Sequence, residues 1–219
     1  MVLVRDPDAP DRPREAVGRR LFGNPDEAFL QSKPKLGLLT PAEVRSIALA
    51  QMDIAPSSIV WDIGAGSGSV SIEAAQMASD GHVHAIEMDA EDHGLIKQNA
   101  ERFNVANVNA VLGRAPEVLD ELPDPDCVFV AGAGREVTRI SQAAYKRLRP
   151  RGRLVVNTTS VDHLMELRDA LQQSASPSSS PQSPAPNVWM INLARGTDQL
   201  DRLSFDPLKP SFLLAVTKP

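Results

Sequence analysis

The chain has 219 residues and a mass of 23.6 kDa, enough for one full-sized α/β domain and short for two independent ones. Hydrophobic residues make up 42% and charged ones 23%, ordinary globular usage that excludes a collagen or a coiled coil. With 23 Lys and Arg against 28 Asp and Glu, the net charge of −5 excludes capture of a polyanion by net field, so an anionic partner has to meet a local basic cluster.

Residues 1–20 mix alternating charge with Pro7, Pro10 and Pro13, which block helix and leave little to bury. A flexible tail is expected there, ahead of a domain spanning 21–219. The tail has no apolar h-region, and nowhere does the chain reach the roughly 18 uninterrupted apolar residues that cross a bilayer. A soluble, unexported, cytoplasmic protein with no membrane partner is expected. Cys127 is the one cysteine, so it forms neither an internal disulfide nor a cysteine zinc site, and the four histidines lack partnered spacing; no metal site is expected.

From residue 41 onward helical patterns alternate with short apolar runs. Helices are expected at 41–52, 70–78, 90–103, 136–148 and 161–173, and buried strands at 58–63, 82–87, 108–112, 127–131 and 153–158. Alternating βα units imply a parallel sheet with right-handed crossovers and helices on both faces. Ser and Pro dominate 174–186, which reads as a disordered surface loop. Two more strands follow at 188–193 and 212–217, with no helix between them long enough for a parallel crossover, so they should pair antiparallel at one edge.

The segment from Ile59 to Glu73 carries the chemistry: a strand, Asp62, then Gly64, Gly66 and Gly68, then a helix. Such glycines let a backbone approach a ligand closely while the helix N-terminus offers free amides. Glu87 ends the next strand, where a ribose diol needs an acceptor pair. A nucleotide site is expected, against the plainer reading of a tight turn whose glycines serve packing. Dinucleotide sites carry G-x-G-x-x-G, whereas this loop reads G-A-G-S-G with Asp62 two residues ahead of it.

The D-x-G-x-G-x-G loop resembles motif I of the S-adenosylmethionine-dependent methyltransferases of class I, Rossmann-like fold. Their sheet has seven strands, mostly parallel with an antiparallel last strand, and helices on both faces. More narrowly, L-L-T-P-A-E-V-R at 38–45, V-W-D-I-G-A-G-S-G-S-V-S-I-E at 60–73, G-R-A-P-E-V-L at 113–119 and N-L-A-R-G at 192–196 resemble the decarboxylating precorrin C15-methyltransferases of cobalamin biosynthesis. The resemblance implies methylation of C15 of a precorrin or cobalt-precorrin, loss of the ring C acetate carboxyl, a homotetramer, and a separate C5-methyltransferase in the same pathway. It also implies that Thr40, Gly64, Ala65, Gly66, Ser67, Gly68, Glu87 and Ala115 contact S-adenosylmethionine. Two of these have local readings as well. Thr40 to Glu43 reads as a capping box with Pro41 at N1, and Glu87 as a strand-end acid facing Lys97 or solvent.

A tetrapyrrole bears many carboxylates, so substrate contacts are sought among arginines at the sheet's carboxyl edge. Arg135, in A-G-A-G-R-E, and Arg195, in N-L-A-R-G, are candidates, with Gly132 and Gly134 allowing close approach; each arginine also reads as a solvated charge. Cys127, beside an apolar run, reads as a buried strand thiol. An amino-group methyltransferase of adenine lacks support, since V-A-G-A-G stands where an Asn/Asp-Pro-Pro-aromatic segment belongs. Cytosine C5 methylation lacks its Pro-Cys nucleophile. Nine aromatics (Phe 6, Trp 2, Tyr 1) and an acidic balance argue against a nucleic-acid partner. An RNA or other small-molecule methyltransferase, an NAD-dependent dehydrogenase and a catalytically silent binding subunit remain as alternatives.

Overall fold

The structure, a computed structural model, describes residues 20–32, 39–175, 185–199 and 202–219. The expected tail, apart from Arg20, and the expected Ser/Pro loop, apart from its two ends, lie outside the described residues. No described helix is long and apolar enough to cross a membrane.

Five helices and five strands come first in chain order: α1 (Ala42–Met52), β1 (Ile59–Ile63), α2 (Ser69–Met77), β2 (His82–Glu87), α3 (Ala90–Phe103), β3 (Val108–Leu112), β4 (Cys127–Val130), α4 (Val137–Arg147), β5 (Arg153–Thr158) and α5 (Val161–Ala175), with a 3-10 turn (Glu117–Glu121) in place of a helix between β3 and β4. Then come β6 (Asn187–Ile191), β7 (Ala194–Gln199), β8 (Arg202–Pro207) and β9 (Ser211–Thr217). The main sheet runs β3-β2-β1-β4-β5-β9-β6. Strands β1 to β5 are parallel, and β9 runs antiparallel between β5 and β6.

The period of two along each strand divides the core. Trp61, Ile63, Val128, Val130, Leu154, Val156, Leu214 and Val216 face one way, against Ile140 and Ala144 of α4 and Leu164, Leu167 and Leu171 of α5. Their alternates Val60, Cys127, Phe129, Val155, Leu213 and Ala215 face α1 and α2. Strands covered on both sides read as unbroken apolar runs, which is why β4 is simply Cys-Val-Phe-Val. Each large side chain buried this way contributes about 1.5–3 kcal/mol. Parallel strands with helices on both sides leave the loops after β1, β4 and β5 converging at one edge, where ligands bind in open α/β sheets.

Two departures from the sequence reading stand out. The hairpin β7–β8 forms a separate two-stranded sheet where no strand pair was expected. Its residues are mostly polar and its one alternating apolar pair, Leu203 and Phe205, is exposed, so it lacks the buried face that marks a strand in sequence. The second concerns the start of α1. Pro41 is extended (φ −53°, ψ 144°) and itself occupies the N-cap, with no capping side chain, so the capping box is not formed. The Glu43 carboxylate accepts instead from Arg195, and the Thr40 carbonyl accepts from Arg45.

Candidate active site

Strand β1 delivers the glycine loop to the carboxyl edge. Gly64 and Ala65 both donate their amides to the Ile86 carbonyl, which folds the chain sharply out of β1. Gly64 (φ +75°) is obligatory: a Cβ there would lie 2.0 Å from the Ala131 carbonyl oxygen. Gly66 (φ +55°) is different, since a Cβ there would meet nothing within 4 Å. It borders a cavity lined by Thr40, Asp62, Gly64, Ala65, Gly66 and Ser67, together with Phe129 and Gly132 across the sheet and Asp92 of α3.

Glu87 fixes this loop from the end of β2. Its carboxylate accepts from the Gly66 amide at 2.9 Å and from the Asp89 amide at 2.8 Å, and the residue is 9% exposed. Neither Lys97 nor bulk solvent is its partner. Asp89 in turn caps α3 by accepting from the amides of Glu91 and Asp92. One acid therefore ties the loop to a helix start.

Two segments remote from the loop complete it. Asn99 of α3 is fully buried and donates to the Ser67 carbonyl at 2.8 Å while exchanging hydrogen bonds with both backbone groups of Leu30. Arg45 of α1, also fully buried, donates to Glu73 of α2, to the Asn24 and Thr40 carbonyls and to Asp26. Glu73 further accepts from the amides of Gly23 and Asn24. The residues from 20 to 32 thus form a strap lashed across α1 and α2 beside the cavity. Neither Asn99 nor Arg45 stands out in the sequence, although a charged pair on two otherwise apolar helix faces is a usable signal.

Asp62 lies beneath the loop at 1% exposure and lines the same cavity. Burial pushes its carboxyl up to about 7, opposed by hydrogen bonds from the Ser71 hydroxyl and backbone. Its partner is therefore the first turn of α2. Burial likewise pushes the Cys127 thiol up to about 12, in keeping with a strand thiol.

A larger cleft of about 670 Å³ adjoins this cavity and shares Leu39, Thr40, Ala131 and Gly132 with it. Gly132 and Gly134, from the turn after β4, line it. Arg135 and Arg195 do not. Arg135 is exposed on the short 3-10 turn Gly134–Glu136, away from the lining. Arg195 donates to Asp26 at 2.9 Å and Glu43 at 3.0 Å beside the strap, an arrangement that raises its pKa and lowers that of Glu43. Among the predicted cofactor residues, Thr40 and Gly64 to Ser67 border the first cavity, whereas Gly68 packs on Ile96 and Ala115 sits in the core beside β1 and β4.

Residues 34–177 match the model of the precorrin methyltransferase domain. The chain belongs to the precorrin methyltransferase family. A protein of Pyrobaculum calidifontis named probable cobalt-precorrin-6B C(15)-methyltransferase (decarboxylating) is 41% identical over 68% of this chain and 76% of its own length. The solved structure of precorrin-6Y C5,15-methyltransferase from Geobacter metallireducens is 32% identical with a TM-score of 0.80, covering 91% of this chain and 100% of that one. That of precorrin 8w decarboxylase from Methanobacterium thermoautotrophicum is 26% identical with a TM-score of 0.78, covering 88% and 98%.

Membership makes the chain a methyltransferase of class I fold, an S-adenosylmethionine-dependent enzyme. The first cavity fits that donor: open space at Gly66 admits a ligand against the loop, backbone amides of a helix start suit a carboxylate, and buried Asp62 suits a positive charge.

Proposed function

We propose that this protein methylates C15 of a precorrin or cobalt-precorrin macrocycle and decarboxylates its ring C acetate in cobalamin biosynthesis. The relatives named for that reaction support it, and one observation carries it: two adjoining cavities, one walled by the glycine loop and one large enough for part of a macrocycle, meet at Thr40 and Gly132. In this reading Gly64, Ala65, Gly66, Ser67 and Thr40 hold the cofactor directly. Glu87 holds the loop and accepts a ribose hydroxyl with lone pairs left over, Gly68 starts the helix, and Ala115 closes the adenine side.

S-adenosylmethionine, when bound, supplies a sulfonium methyl that is already strongly electrophilic. The protein's task is alignment and exclusion of water. The loop fixes the donor end, and the turn at Gly132 to Gly134 lets the flat ring approach to contact distance. Loss of carbon dioxide leaves its bonding electron pair in the conjugated ring and a proton from solvent completes the remaining methyl group, so no side-chain base is needed at that step.

The reading extends to a homotetramer in the cytoplasm working beside a separate C5-methyltransferase. Support for self-association comes from apolar side chains exposed on one side of β6 (Val188, Met190) and of β8 (Leu203, Phe205). Titration calorimetry with S-adenosylhomocysteine, NAD and NADP tests the donor site first. Binding of S-adenosylhomocysteine alone is expected, followed by a precorrin mass change of plus one methyl and minus carbon dioxide. Binding of NAD, or methyl gain on RNA, overturns it.

A further inference from the structure

The larger cleft has a chemical asymmetry that the arginine candidates did not anticipate. Among the described residues its lining contains no aspartate or glutamate, although the chain carries 28 of them against 23 basic residues. It does contain Lys209, from the connection between β8 and β9, and His163, from the first turn of α5. Lys209 is exposed and makes no ion pair or hydrogen bond with any described residue, whereas Arg45, Arg114, Arg139, Arg147, Arg149 and Arg195 are all paired with carboxylates. An unpaired cation and an imidazole in a cleft with no carboxylate among its described lining residues make a receptor for an anionic group.

We infer that Lys209, with His163, binds a peripheral carboxylate of the substrate and sets which carboxylated ring the enzyme accepts. This rests on the proposed tetrapyrrole reading and deepens it. None of the residues from Gly64 to Gly68 is in this cleft's lining, so a contact at Lys209 orients the ring without touching the donor loop. Among the described lining residues no carboxylate competes for this lysine.

The test uses uroporphyrin, a stable tetrapyrrole octacarboxylate, as probe, with S-adenosylhomocysteine titrated in parallel into the same full-length protein. Lys209→Ala should weaken uroporphyrin binding about tenfold and Lys209→Glu more, Lys209→Arg should restore most of it, and S-adenosylhomocysteine affinity should stay unchanged in all three. The affinity lost on adding salt should also shrink in Lys209→Ala. Uroporphyrin affinity equal in wild type and Lys209→Glu overturns the assignment, as does failure of the wild type to bind the probe. Loss of S-adenosylhomocysteine binding in every variant and in wild type would instead defeat the methyltransferase reading itself.

Discussion

The two cavities are built in opposite ways. The donor cavity is built around one contiguous stretch from Asp62 to Val70, which is fixed from below by buried side chains such as Glu87 and Ser71, with residues 31–32, 39–40, Asp92 and 129–132 closing it. The larger cleft is assembled from four segments far apart in the chain, residues 39–41, the turn after β4, the loop after β5 with the start of α5, and the β8–β9 connection, and its lysine stands open. A site made of backbone tolerates few residues and recognises one ligand; a site made of side chains on loops is free to change specificity without disturbing the fold.

Substitutions in the loop should break this contrast most severely. Gly64→Ala forces a methyl into the Ala131 carbonyl and should cost more than about 4 kcal/mol, seen as little or no folded protein by circular dichroism. Recovery of a normally stable Gly64→Ala protein would mean that the β1 and β4 loops do not meet as described.

Gly66→Val points into open space instead. It should fold, with a loss of about 1–2 kcal/mol from its left-handed backbone, and lose S-adenosylhomocysteine affinity by about 100-fold or more in calorimetry. Wild-type affinity in that variant would remove the ligand from the loop.

Asp62 sharpens the comparison through pH. Burial makes the folded protein ionise this group only near 7, while the unfolded chain does so near 3.8. Its stabilisation is therefore full below about pH 4 and is lost as pH rises through about 7. Relative to Asp62→Asn, the ligand-free wild type should lose about 2 kcal/mol between pH 5 and pH 8 in urea titrations. Parallel stability curves for the two proteins would contradict a buried, late-titrating carboxyl.

Arg195→Ala should do least. Its guanidinium is 41% exposed and engaged with Asp26 and Glu43, so loss of at most about 1 kcal/mol is expected, with binding of both S-adenosylhomocysteine and uroporphyrin intact. Selective loss of uroporphyrin binding would return Arg195 to the substrate site.

This difference also decides what can be read from sequence. The sheet, its helices and the donor loop are local: apolar runs of period two, helical periodicity and glycines following a strand all lie within a few residues of what they build. The antiparallel last strand follows from the absence of a crossover helix. Lys209, Asn99 and Arg45 carry no such local mark, because their roles depend on which segments the fold brings together. The arginine candidates failed to reach the cleft for the same reason. Arg195 sits in a family motif, yet its environment is set by Asp26 in the strap and Glu43 in α1.

The position of β9 has a consequence for how the chain is made. This strand fills the gap between β5 and β6, so β6 has no sheet partner until residues 211–217 have been synthesised. During translation β5 presents an open apolar edge while β6 waits unpaired behind it, a state open to intermolecular strand pairing. Sheet closure is then a late, long-range event near the end of synthesis, and a chaperone would have most to do in the interval just before β9 emerges.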